Sequence, residues 1–296
     1  MKLATCMYNS ELRLAVVQAD SALLPATCPG WSPEVDSMLQ VIDRCDRYLP
    51  ALRELVQQSV PDLWVELDSV ELVSPIPRPR QNVMCLGWNY MDHVEETTRK
   101  MVEAPKLPKY PVVFTKAVSS MNGPYADIPV NHAVSDKMDW EVELGVIIGK
   151  GGQGIRREQA LQHVFGYTVI NDVSARDLQK RHRQFFLGKS LSGSCPMGPW
   201  IVTSDEIPDP QALDLESRVN GQVKQDSNTR HQIFDIATVI ETLSRGMRLE
   251  PGDIIATGTP SGVGYVRTPP EYLQPGDVVE CEIESIGTIR NTVTAA

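Results

Sequence analysis

Carboxylates recur at alternate positions in Asp139-Trp140-Glu141-Val142-Glu143-Leu144, a run that continues as Gly145-Val146-Ile147-Ile148. Successive side chains of a strand point to opposite faces, so Trp140, Val142 and Leu144 share one face and Asp139, Glu141 and Glu143 the other. Two such carboxylates can grip one hard cation if further oxygen ligands converge on it. The same alternation in Glu280-Cys281-Glu282-Ile283-Glu284, with no other site residue near it, warns that the pattern also describes a solvated strand face. The pair needs a third ligand. Asp172 offers one, because it closes the apolar run Tyr167-Thr168-Val169-Ile170-Asn171 at a strand end, where a side chain can project into a cavity. The other role open to Asp172 is to cap the backbone of a following helix.

A second group lies in Gly87-Trp88-Asn89-Tyr90-Met91-Asp92-His93-Val94-Glu95-Glu96. One helical turn starting at Asn89 puts His93 and Glu96 on a shared face, and a glutamate three residues away can orient an imidazole that activates water. The bland alternative is a pair of surface neighbours. Gly188-Lys189-Ser190 lacks the glycine five residues earlier that a phosphate-binding P-loop needs, since Arg183 stands there. The run Thr257-Gly258-Thr259-Pro260-Ser261-Gly262-Val263-Gly264 reads first as turn punctuation, although such turns can present backbone N–H groups to an anion. A rival class comes from Gly149-Lys150-Gly151-Gly152-Gln153-Gly154, which fits the GxGxxG dinucleotide fingerprint and makes Asp172 a ribose ligand in an NAD-binding oxidoreductase. Against it stand Glu141 and Glu143 in a strand that should be apolar on both faces.

These residues must be positioned by a chain of 296 residues, long for a single domain. Residues 2–7 and 12–17 read as two strands joined by the turn Tyr8-Asn9-Ser10-Glu11. Ser32 and Pro33 read as the cap and first position of a helix carrying Met38, Leu39, Val41, Ile42 and Cys45, which Pro50 interrupts or kinks. Three alternate prolines in Ser74-Pro75-Ile76-Pro77-Arg78-Pro79-Arg80 predict an extended connector. The expected division is therefore residues 1–76 and 77–296. Beyond it, strands dominate. Pro251-Gly252-Asp253 and Pro275-Gly276-Asp277 turn into apolar runs, and helices are expected over 156–164, 174–183 (with Ser174 and Asp177 as a capping box) and 236–247.

The net charge of −10 argues against a nucleic-acid partner, whose phosphates demand lysine and arginine. Six cysteines without a CxxC pair give neither a zinc knuckle nor a disulfide framework and fit a reducing compartment. With no signal-peptide pattern and no stretch of membrane-spanning length, the expectation is a cytoplasmic chain with no membrane partner.

Taken in order, the motifs resemble the fumarylacetoacetate hydrolase family. They are Gly87-Trp88-Asn89-Tyr90 with His93, Phe114-Thr115-Lys116 through Ser119-Ser120-Met121-Asn122-Gly123-Pro124, Trp140-Glu141-Val142-Glu143-Leu144, and Asn171-Asp172-Val173-Ser174-Ala175-Arg176-Asp177-Leu178-Gln179. Gly188-Lys189-Ser190, Cys195-Pro196-Met197-Gly198-Pro199-Trp200 and Pro251-Gly252-Asp253-Ile254-Ile255-Ala256-Thr257-Gly258-Thr259-Pro260 complete the set. The resemblance implies an α+β, strand-rich fold: a mixed β-roll catalytic domain with a small N-terminal α+β domain, assembled as a homodimer. It implies one Mg2+ or Mn2+ per subunit on Glu141, Glu143 and Asp172, a water-activating dyad of His93 and Glu96, and Lys189 stabilising negative charge. Lys116, Arg176, Gln179 and Thr259 take substrate-side positions. Ala117, where a proline is common, and Ser192, where an aspartate is common, leave the substrate's identity open.

The chemistry implied is hydrolysis of a carbon–carbon bond in an acylpyruvate, a small 2-oxo acid of the fumarylpyruvate type, through an enolate held by the metal. The dyad favours hydrolysis. Decarboxylation of oxaloacetate and isomerisation of a hydroxydienoate use the same enolate, and a non-catalytic ligand-binding homologue is the reading of another class.

Overall fold

A computed structural model describes residues 1–31, 35–98 and 107–296. The strand Val142–Ile148 is buried along its whole length because it packs on both sides. Val142, Leu144, Val146 and Ile148 join one core with Trp140, Leu215, Cys281, Ile289 and Val293, while Ile147 faces a second core with Leu3, Phe165, Ile170 and Ile201. Glu143 and Gly145 share the side of Ile147, so this face is polar only where the strand begins. Any side chain at position 145 is excluded by Ile170 and Thr168, whose atoms lie 2.8 Å from where a Cβ on Gly145 would stand.

Among the described residues the larger sheet has 12 strands. Val142–Ile148 pairs antiparallel with Val164–Asn171 on one side and Ile254–Ala256 on the other, and Ile254–Ala256 runs parallel to Val83–Gly87. This arrangement brings the start of Val142–Ile148 and the ends of the other three strands to one end of the sheet. A 5-stranded sheet containing Asp214–Val219, Val278–Ile283 and Gly287–Ala295 covers one face and completes the strand-rich α+β roll. The helix Ile236–Gly246, capped by Asp235, adds Ile236, Val239, Ile240 and Leu243 to the same core. Both Pro-Gly-Asp turns form as expected. Gly252 and Gly276 take positive φ, and Asp253 N and Asp277 N donate to Glu250 O and Gln274 O.

The first hairpin forms as read, with Asn9 and Ser10 both at positive φ. Its strand Lys2–Tyr8 pairs antiparallel with Cys195–Thr203, Lys2 opposite Val202 and Leu3 opposite Ile201, and Cys195–Thr203 pairs in turn with Val164–Asn171. Residues 74–82 carry no regular element.

Three local expectations differ from the structure. Ser32 and Pro33 lie outside the described residues, and the helix they were expected to open starts at Met38 with Ser37 as its cap. The break in that helical region falls at Arg44, and Pro50 sits inside the helix Cys45–Gln58. Ser174 caps nothing: it pairs in a short strand with Asp139, its hydroxyl donates to Asp172 O, and the helix begins only at Arg176. The glycine run 149–154 is no dinucleotide loop. Its flanking strands are antiparallel, and the N–H groups of Gly149, Lys150 and Gly152 already donate to His163 O and Leu249 O. A pyrophosphate would find no parallel crossover there, and most of the loop's N–H groups are already engaged.

Gly166 tests the packing between Val164–Asn171 and Cys195–Thr203, because a Cβ at this position would stand 2.3 Å from Val202 O. Gly166→Ala should lower stability by about 1–3 kcal/mol, the range for overpacking. A lowered denaturant midpoint with an unchanged slope is the expected result, and an unchanged midpoint would contradict this packing.

Candidate active site

Glu141, Glu143 and Asp172 meet at that end of the sheet, and one carboxylate oxygen from each lies within 4.8 Å of the others. All three are buried, as is Asp139. Loop N–H groups hold them: Gly258 N donates to Glu143 Oε2 at 2.8 Å, and Gly264 N and Tyr265 N donate to Asp139. Gly258 has φ +96, and a Cβ there would stand 2.7 Å from Asn89 Cβ, so glycine is required for this loop to reach Glu143. The 257–264 run does present backbone donors to anions, and the anions are the protein's own carboxylates.

Cations close around the group. Lys189 Nζ lies 2.6 Å from both Glu141 Oε2 and Asp172 Oδ2, and Lys116 Nζ lies 2.8 Å from Asp172 Oδ1. Arg176 reaches Asp139 Oδ2 at 2.8 Å and Glu141 Oε1 at 2.6 Å. Burial alone would raise the pKa of Glu141, but Lys189 and Arg176 overcome it and hold the carboxyl at about 2. Burial lowers the affinity of Lys189 for its proton, yet Asp172 and Glu141 reverse this and raise its pKa. Glu143 goes the other way. Burial, then the charges of Asp172 and Glu141, push it well above the usual carboxylate range.

Four buried carboxylates, Asp139, Glu141, Glu143 and Asp172, thus face three buried cations, Lys116, Arg176 and Lys189. Were all four ionised, one negative charge would be left over without a partner, and that cost is what keeps the proton on Glu143. The donor set is all oxygen, which fits Mg2+ or Mn2+ and not a thiolate-seeking ion. Cys85 and Cys195, whose thiols sense Asp172 and Glu143, are raised chiefly by burial, Cys195 to about 12, and offer no thiolate. The residues present therefore fit a divalent cation.

The helix Met91–Thr98 carries the dyad, two turns where one was expected. His93 Nδ1 lies 2.8 Å from Glu96 Oε1, and Glu96 Oε2 accepts from Gly262 N at 2.9 Å. Asp92 fixes the helix to the same loop by accepting from Ser261 Oγ at 2.6 Å. Asn89, fully buried, ties the preceding turn to Thr257 O and to the backbone of Phe234. His93, Glu141, Glu143, Arg176, Gln179, Lys189 and Thr259 all line one cavity of about 440 Å³. A larger cavity of about 790 Å³, walled by Glu66, Val70, Met121 and Tyr125, contains none of these residues, so the chemistry belongs to the smaller one.

Lys116 does not line the cavity. It is fully buried behind Asp172, where it also donates to Val173 O and Ser194 Oγ. Thr259 borders the cavity with its hydroxyl donated to Val142 O and receiving Gln225 Nε2. Sequence reasoning missed Tyr265, which lies under the Arg176 guanidinium at 4.4 Å, because no motif marks it. It also left Asp139 without a role, although its alternation with Glu141 was visible. The warning run at 280–284 is a solvated face: Glu280 and Glu282 pair with Arg290 and Arg218.

A carboxylate triad beside a His–Glu pair, at the open end of a strand-rich roll, defines a metal-dependent enzyme class. A family model described as the C-terminal domain of fumarylacetoacetate (FAA) hydrolase matches residues 82–294, and the chain belongs to this family. An oxaloacetate tautomerase of Bacillus subtilis is 45% identical over 90% of this chain and 87% of its own length. A fumarylacetoacetate hydrolase structure from Exiguobacterium antarcticum superposes with a TM-score of 0.83 at 42% identity over 100% of both chains. A maleylpyruvate hydrolase from Sphingobium, in complex with manganese(II) and pyruvate, gives 0.80 at 28% identity, again over 100% of both chains. Among the described residues, no helix is long and apolar enough to cross a membrane.

The raised pKa of Glu143 has a measurable sign. In the metal-free protein its proton favours the fold, and that contribution fades as pH rises through the raised value. A cation must displace this proton, so Mn2+ affinity should strengthen with pH by about tenfold per unit while Glu143 remains protonated in the free protein. Calorimetric titration across pH, in buffers of different ionisation enthalpy, reads the released proton directly. Affinity independent of pH would contradict the assignment.

Proposed function

We propose that the chain enolises a small 2-oxo acid by moving a proton at the carbon beside the oxo group, with a divalent cation on Glu141, Glu143 and Asp172. The observation that carries this reading is that His93, gripped by Glu96 at 2.8 Å, opens onto the same cavity as Glu141 and Glu143, two of the three carboxylates. When bound, Mg2+ or Mn2+ supplies Lewis-acid polarisation of the oxo group. The manganese in the Sphingobium structure and the all-oxygen donor set here support that choice of ion.

The protein's own residues do the rest. With Nδ1 turned to Glu96, His93 keeps Nε2 for the substrate, and the glutamate steadies the imidazolium that forms on proton uptake. Lys189 carries a fixed positive charge beside Glu141 and Asp172 and offsets negative charge developing on the substrate. Arg176 has its Nε and Nη1 engaged by Asp139, Glu141 and Gln179, whereas its buried Nη2 has no hydrogen-bond partner among the described residues. That donor is available to a substrate carboxylate. Once Glu143 gives up its proton the buried carboxylates exceed the buried Lys and Arg by one charge, and a divalent cation with one such substrate carboxylate then brings the local balance to zero.

Proton transfer alone is keto–enol tautomerisation, the reaction named for the Bacillus subtilis relative. Hydrolysis of an acylpyruvate is the second reading, favoured by the pyruvate bound to the Sphingobium hydrolase. There His93 takes a proton from water, the hydroxide adds to the distal carbonyl, and the carbon–carbon pair leaves on the pyruvate fragment as its enolate. The two readings separate in one assay set: enol absorbance of oxaloacetate and of acylpyruvates, with pyruvate release followed in parallel, each with Mn2+ and with chelator.

Glu143→Gln should remove both Mn2+ binding and turnover. His93→Ala should lower turnover by about 10²–10⁴-fold, the range for a positioned acid or base, and leave Mn2+ affinity unchanged. Loss of Mn2+ binding in His93→Ala would make the imidazole a ligand and overturn its role as base.

A further inference from the structure

Seven non-glycine residues in the described chain have positive φ. Asn9, Ser10, Ala19, Asn220 and Ser285 turn hairpins between consecutive strands, where this conformation is ordinary. The other two are Trp88 and Arg183, with φ +52 and +60, and both line the catalytic cavity. Arg183 is the centre of a three-residue turn with ψ −40, closed by Gln184 N donating to His182 O at 2.6 Å. The φ-positive form of this γ-turn is rare and strained, and such strain collects at functional sites.

Lys180 lines the same cavity one turn earlier on the helix Arg176–His182. Cations in a last helical turn answer the helix dipole, which accounts for Lys180, Arg181 and His182. Arg183 caps the same helix, and what sets it apart from the other three is its positive φ on the cavity wall. The three deep cations, Lys116, Arg176 and Lys189, are each engaged by protein carboxylates. Lys180 and Arg183 are exposed and pair with no carboxylate among the described residues, on a chain whose net charge is −10. Around them the wall is aromatic, with Trp88, Phe114 and Phe185.

We propose that Arg183, with Lys180, binds a second carboxylate at the end of the substrate away from the carboxylate triad, so that the chain selects 2-oxo dicarboxylates over 2-oxo monocarboxylates. The inference rests on the proposed reading of the triad as the end that takes the 2-oxo acid. Arg183 is a specificity residue and not part of the proton-transfer machinery. The turn sets the direction in which Arg183 leaves the backbone at the cavity wall, and Lys180 and Arg183 are the lining Lys and Arg side chains that no carboxylate among the described residues already engages.

Matched acids of equal length test this. Oxaloacetate is compared with 2-oxobutyrate by KM, and 2-oxoglutarate with 2-oxovalerate by calorimetric binding to the Mn2+-loaded protein. The dicarboxylate should be preferred at least tenfold in one pair or both. Lys180→Met combined with Arg183→Gly should abolish the preference and leave monocarboxylate binding and Mn2+ affinity unchanged. Glycine relieves the positive φ, so this variant should fold at least as stably as the parent. Arg183→Lys in place of the glycine should restore part of the preference. Equal affinities within both pairs, or a preference that survives in the double variant, would overturn the proposal. Intact preference in binding without turnover of any acid would sink the proposed reaction instead, and leave the subsite standing.

Discussion

Three buried carboxylates within 4.8 Å of one another repel strongly, and the groups around them are arranged to make that tolerable. Lys189 bridges Glu141 and Asp172, Lys116 backs Asp172 from behind, and Arg176 joins Glu141 to Asp139, while Glu143 is held by the N–H of Gly258. The compensation stops one charge short. A fully neutralised cluster would be a structural ion network with little reason to take up a cation. The deficit, concentrated on Glu143, is what turns the network into a binding site.

The sheet supplies the carboxylates and the loop at 257–264 supplies their restraint. One strand start and one neighbouring strand end deliver Glu141, Glu143 and Asp172. A single loop then binds Glu143, Glu96 and Asp139 through the N–H groups of Gly258, Gly262 and Gly264. Dyad and triad belong to different elements, yet they share one backbone as their reference frame. A shift of that loop would move the base and a metal ligand together.

Much of this was legible in the sequence, and the reason is local. Alternation placed Glu141 and Glu143 on one face, Asp172 stood at a strand end, and i, i+3 spacing joined His93 to Glu96. Each depends on the geometry of a single element. The role of Lys116 was not legible, because its approach to Asp172 spans 56 positions and depends on how two elements pack. Tyr265 and Arg183 were missed for a related reason: one acts through stacking, the other through a turn conformation that its residue type does not announce. Ser174 misled because a serine three residues before an acidic residue looks the same in a strand as at a helix start. Glycine spacing at 149–154 misled until the antiparallel pairing of its flanking strands was known.

The strand Lys2–Tyr8 is hydrogen-bonded directly to Cys195–Thr203, two strands away from Glu143. The family match begins only at residue 82, so this neighbour comes from a part of the chain that the shared family pattern does not cover. An amino-terminal segment on this roll is therefore not an interchangeable cassette. Whatever sequence takes that place must bring a strand that pairs with Cys195–Thr203 in the same register, and its modularity is limited by backbone pairing more than by any side chain.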